Sequence, residues 1–132
     1  MRIDTTIICE NARTRDDGAL DLIGLGVDTF NVAAFPAIVT LPLFVRVVGD
    51  GPESADLLVQ TFDSDGGTQS ESFQPIALGN RPPGLPDDCP VRGMLTLQLG
   101  CTFNEPGAYS IRISLAGSGA EPETHVLFIG QA

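Results

Sequence analysis

Lysine and tryptophan are both absent from this chain of 132 residues, and histidine and tyrosine occur once each. All seven basic side chains are therefore arginine, set against 17 Asp and Glu, for a formal net charge of -10. That balance repels a phosphate backbone and an anionic lipid surface alike. Arg2, Arg13, Arg15, Arg46, Arg81, Arg92 and Arg112 are spread along the chain, so no basic strip offsets it. Neither nucleic acid nor membrane is expected as a partner. Without tryptophan, and with a single tyrosine, the stacking platforms of a sugar-binding surface are scarce. With His125 alone, the commonest general base and metal ligand is nearly missing.

Other absences narrow the setting. No apolar run approaches the roughly 20 residues of a membrane-spanning helix, and no stretch has a helical period. Met1-Arg2-Ile3-Asp4 passes straight into alternation, without the apolar run of a secretory signal. No Asn has the glycosylation spacing. Cys9, Cys89 and Cys101 are odd in number and form no Cys-x-x-Cys. Cys9 and Cys101 occupy inward positions of predicted strands, where a free thiol behaves as a small apolar group. No disulfide and a cytoplasmic setting are the expectation. There is no P-loop and no nucleophile elbow. The chain is not expected to be an enzyme, and no residue is assigned to catalysis, to a cofactor or to a metal.

What remains is a strong strand pattern. Hydrophobic residues make up 42% of the chain, and mean hydropathy is +0.16. That is enough for one core in a single domain spanning 1–132. The clearest stretch runs from Thr102 to Leu115. Glu105-Pro106-Gly107 forms a turn, because Pro fixes φ and Gly tolerates unusual φ. An alternating strand follows, with Tyr109, Ile111, Ile113 and Leu115 on one face. A Tyr so placed after a turn is similar to the tyrosine corner of immunoglobulin-like sandwiches. Pro106, Gly107 and Tyr109 are thus read as a structural corner, with the Tyr109 ring buried and its hydroxyl on a backbone group between Phe103 and Pro106.

The other strands follow from alternation and turn residues. Arg2–Glu10 places Ile3, Thr5, Ile7 and Cys9 inward. Asp16-Asp17-Gly18 signals a hairpin. Leu20–Phe30 reads as one strand whose phase slips at Gly24 and Gly26, as at a bulge. Ile38–Val48 is the strongest strand, with Pro42 inside it arguing partial edge character. Asp56–Phe62 and a weak, polar Thr68–Leu78 follow, the latter read as an edge. Gly79–Arg92 is a Pro-rich loop, Met94–Phe103 another inward-alternating strand, and Thr124–Gly130 the last, with His125 facing solvent. The fold class is therefore all-β: an antiparallel immunoglobulin-like β-sandwich with Greek-key connections and about eight strands. A closed barrel is the alternative.

Several short motifs also carry a resemblance. They are Glu10-Asn11-Ala12, Asp17-Gly18-Ala19-Leu20, Leu22-Ile23-Gly24, Phe35-Pro36-Ala37, Asp63-Ser64-Asp65-Gly66 and Glu105-Pro106-Gly107-Ala108-Tyr109. With them the chain resembles a family of small, single-domain bacterial proteins with an immunoglobulin-like sandwich and no assigned function. The resemblance implies the fold and brings no catalytic residues. Gly79–Arg92 has no counterpart in it.

Candidate chemistry is thin. Asp63-x-Asp65-Gly66-Gly67 could open a calcium loop, but the later ligands of an EF-hand are missing, and a hairpin turn is the reading taken. Asp87, Asp88 and Cys89 with His125 could hold a metal only if the fold gathered them. Long loops in compact domains often carry function. A binding or adaptor module for a protein partner is therefore expected, acting through loops or an exposed strand edge. Arg81, Leu85, Asp87, Asp88 and Arg92 of the Pro-rich loop are the candidate contacts. The alternatives are a sugar- or cation-binding module, and a self-associating protein that forms a homo-oligomer through an open strand edge.

Overall fold

The computed structural model describes residues 1–132 as ten strands and no helix. These are β1 (Arg2–Ile8), β2 (Asn11–Thr14), β3 (Leu20–Ile23), β4 (Thr29–Val32), β5 (Ala37–Gly49), β6 (Glu53–Phe62), β7 (Thr68–Leu78), β8 (Val91–Phe103), β9 (Gly107–Leu115) and β10 (Glu123–Gln131). One sheet has the order β1-β5-β8 and the other β4-β10-β9-β6-β7, while β2 and β3 form a separate hairpin. The apolar alternations explain the arrangement. Leu41, Leu43, Val45 and Val47 of β5 meet Leu57, Val59, Ile111, Ile113 and Leu127 of the second sheet in one contiguous core. The chain changes sheet at β4–β5, β5–β6, β7–β8 and β8–β9 and turns within a sheet at β6–β7 and β9–β10. That is the immunoglobulin order: β1, β5 and β8 stand as strands A, B and E, and β6, β9 and β10 as C, F and G.

The sandwich is as expected from the sequence, and three details differ. First, Leu20–Phe30 is not one bulged strand. Gly24 and Gly26 have φ of 70° and 69°, and the amide of Gly26 donates back to the Ile8 carbonyl at 3.0 Å. The chain so changes partner, and β4 runs parallel to β10. The strand count rises, and one pairing is parallel. Second, β1 keeps its alternation only up to a bulge between Ile3 and Thr5. Beyond it Thr6 and Ile8 pair with Val45 and Leu43 and share their inward face. Thr5 and Ile7 therefore turn outward, against expectation. Cys9 follows them in phase, yet it is fully buried, its thiol on the Pro42 carbonyl, where β2 meets β5.

Third, β5 is central, not an edge. Pro42 is tolerated because of the direction of its missing donor. The Cys9 amide donates to the Pro42 carbonyl at 3.1 Å, so the backbone groups of Pro42 face β1 and not β8. The absent N–H removes one bond at the position where the β1–β5 ladder stops, and the β5–β8 ladder loses nothing. β7, by contrast, is the outer strand of its sheet, as its polar sequence suggested.

Candidate functional site

The corner positions one end of the molecule. Tyr109 is buried, its hydroxyl donates to the Glu105 carbonyl at 2.6 Å, and the Glu105 amide donates back to the hydroxyl at 3.3 Å. Phe103 stands edge-on to the Tyr109 ring, with centroids 4.8 Å apart and planes at 68°. Gly107 is where the next turn comes closest, since a Cβ there would lie 2.9 Å from Ser64 Cβ. The Ser64 hydroxyl also donates to Glu105 Oε1 at 3.1 Å. Within that neighbouring turn, Asp63 Oδ1 accepts the amides of Asp65 and Gly67 at 2.9 and 2.8 Å. Asp63 therefore closes a hairpin, as read from the sequence.

The Pro-rich loop is shorter than expected. Val91 is already in β8 and buried in the core, and Arg92 pairs with Val48. The loop proper is 79–90. Arg81 is turned into it: one guanidinium nitrogen, Nη1, donates to the carbonyls of Pro86 and Cys89, both at 2.9 Å. The amides of Leu85 and Cys89 close turns on the carbonyls of Pro82 and Pro86. Leu85 packs against the core. Of the five expected contacts, Arg81 and Leu85 thus hold the loop's shape, and Asp87, Asp88 and Arg92 are exposed. The acidic ends of the protein's ion pairs lie elsewhere, at Asp4, Asp21 and Glu53.

His125 is a correction. It shares the inward phase of Leu127 and Ile129, while its neighbours Thr124 and Val126, and Phe128 beyond, are exposed. Its Nε2 lies 2.7 Å from the Thr6 hydroxyl, so the ring bridges the two sheets at their open side. It is not gathered with Asp87, Asp88 and Cys89, and no three metal-capable side chains come together. Burial lowers the pKa of His125 from its ordinary value, and Glu123 partly opposes the shift. Because the unfolded chain binds this proton more readily, stability is full above the ordinary histidine value, about 6.5, and declines as pH falls below it. Melting temperature should therefore drop between neutral and mildly acidic pH, and His125→Gln should flatten that part of the profile. An unchanged slope in the variant would disprove the assignment. Asp4, held below its usual range by hydrogen bonding to Arg46, acts only at lower pH.

The thiols of Cys9 and Cys101 are buried, Cys89 is partly exposed in the loop, and all three are free. Burial pushes the Cys9 thiol up and that of Cys101 up to about 11, which makes both poor nucleophiles. Sequence reasoning missed the Arg81 clamp. The only available signal was an arginine just ahead of a proline-rich turn, where few amides are present to serve the carbonyls.

Two sheets joined at a tyrosine corner, in this strand order, make the protein an immunoglobulin-like sandwich. The chain belongs to a family of unknown function, DUF6941, which matches residues 4–121. The match takes in both sheets, the 79–90 loop and the corner, and stops before β10. No curated protein matches the chain. Among solved structures it is similar to a beta-glucosidase from Listeria innocua, also seen with glucose, at 12% identity and TM-score 0.49. That similarity covers 79% of this chain and 15% of the glucosidase chain. It is also similar to the CARDB domain of a Pyrococcus furiosus protein in complex with di-metal ions, at 12% identity and TM-score 0.44. There the coverage is 99% of this chain and 96% of the other.

Proposed function

We propose that the protein is a non-enzymatic binding module that recognises a protein partner through the 79–90 loop and Arg92 beside it. The observation that carries this reading is the Arg81 clamp on the carbonyls of Pro86 and Cys89. A loop already fixed by an internal guanidinium, by four prolines and by a half-buried Leu85 loses little entropy on docking. Its tip then presents Asp87 and Asp88 side by side, with exposed carboxylates. A basic segment of the partner is the complementary chemistry, and the net charge of -10 steers it inward. Three free thiols are in keeping with a reducing, cytoplasmic setting.

The test is charge reversal at the tip. Asp87→Arg with Asp88→Arg changes two exposed side chains, so the melting temperature should stay within about 2 °C, as for surface changes of small free energy. A protein captured from native-host lysate by the wild type should be lost by the double variant. Equal capture by both would refute the loop reading. Cutting out 79–92 whole is unsuitable as a test, because it removes Val91 from the core and Leu85 from its packing.

A further inference from the structure

We propose that the free edge of β8 pairs antiparallel with β8 of a second copy, across a two-fold axis near Gln98. Two three-stranded sheets then become one of six. This surface uses neither Asp87 nor Asp88 and stands apart from the loop reading.

The backbone directions come first. The Thr102 carbonyl faces away from β5, since it accepts from Gln69 Nε2 at 3.0 Å. Backbone groups alternate sides along a strand, so Met94, Thr96, Gln98 and Gly100 also turn theirs outward. The partner of Gln98 in β5 agrees: Pro42 turns its carbonyl to β1, so this cross-strand pair exchanges no bonds. Short of Thr102, whose carbonyl Gln69 already caps, a row of unpaired donors and acceptors from Met94 to Gly100 therefore runs along the outer side of β8.

Edges are normally blunted by short length, bulges, prolines or lysines. β4 is four residues long, β1 carries a bulge, and β7 carries Pro75. β8 has 13 residues, an unbroken register with β5, no proline and no lysine. It is the one edge of the four left without a guard.

Charge selects a second copy as the occupant. The chain has 17 acidic residues, yet β5 and β8, the two longest strands, contain none. This strip is where two molecules of net charge -10 can approach without opposing carboxylates. With the axis at Gln98, Thr96 meets Gly100 of the second copy, and Met94 meets its Thr102, beside which lies its Ile38. Met94 and Ile38 are 63% and 80% exposed in the single chain, and the pairing brings them into one row. Above Gly100 the space is open.

Sedimentation equilibrium of the full chain tests this. A species of twice 13.9 kDa should grow with protein concentration and with added salt, because salt screens the repulsion between two acidic molecules. Gln98→Lys sets two ammonium groups opposite each other and should weaken the dimer by about tenfold or more. Phe73→Lys, on the exposed face of the other sheet, should leave it unchanged. Should Gln98→Lys fold poorly, wild-type amide exchange decides: exchange at Thr96, Gln98 and Gly100 should slow as concentration rises. A monomer under all conditions overturns the proposal. So does a dimer that survives Gln98→Lys, one lost through Phe73→Lys alone, or exchange independent of concentration.

Discussion

Phe103→Ala is expected to remove about 3–5 kcal/mol of stability, the usual cost of truncating a buried phenylalanine. Ordinary domains hold only about 5–15 kcal/mol in total, so this change should take the protein close to unfolding at room temperature. Phe103 ends β8 and is 1% exposed, with its ring edge-on to Tyr109 at the crossing from one sheet to the other. Removing it leaves a cavity at a point that both sheets and the corner define, so little can collapse into the space. Tyr109→Phe should behave differently and cost about 1–2 kcal/mol, the net worth of the two hydrogen bonds its hydroxyl makes with Glu105. The ring stays, and Glu105, whose carbonyl loses its donor, is exposed and can turn to water. Urea denaturation of the two variants measures both numbers. Losses of equal size would mean that the corner is held by the hydroxyl, not by ring packing.

That contrast shows which parts of the fold a reader of the sequence can reach. The corner was legible because turn, ring and alternating strand lie within a few residues, and each acts locally. β5 and β8 were legible for the same reason, since alternation over 13 residues leaves one face to bury. The phase of β1 was not, because the bulge at Asp4 answers to its pairing with β5 and has no local sign. The parallel seat of β4 beside β10 joins residues nearly a hundred positions apart. His125 was put on the wrong face although its alternation with Leu127 was in plain view. Its bond to Thr6 depends on two sheets meeting, which no local pattern encodes. In the loop, prolines announced stiffness, but the Arg81 clamp and the packing of Leu85 depend on how the loop folds back on itself.

Gly51→Ala is expected to cost about 2–5 kcal/mol, from two sources that can be separated. Gly51 has φ of 54°, and a residue with a Cβ in that region loses about 1–2 kcal/mol to local sterics. The new methyl would also run into the Gly79 carbonyl, at the base of the 79–90 loop. Backbone cannot swing aside as a side chain does, and forced overpacking of this kind costs about 1–3 kcal/mol more. Gly84→Ala supplies the reference. Gly84 has φ of 81°, in the same loop, and a Cβ there meets nothing within 4 Å. It should therefore show the local strain alone. Chemical denaturation of the two variants side by side gives the difference, which reports how firmly the β5–β6 turn props the loop base. If Gly51→Ala costs no more than Gly84→Ala, Gly79 yields freely. The loop is then stiffened only by its own bonds, and the turn beneath it contributes nothing.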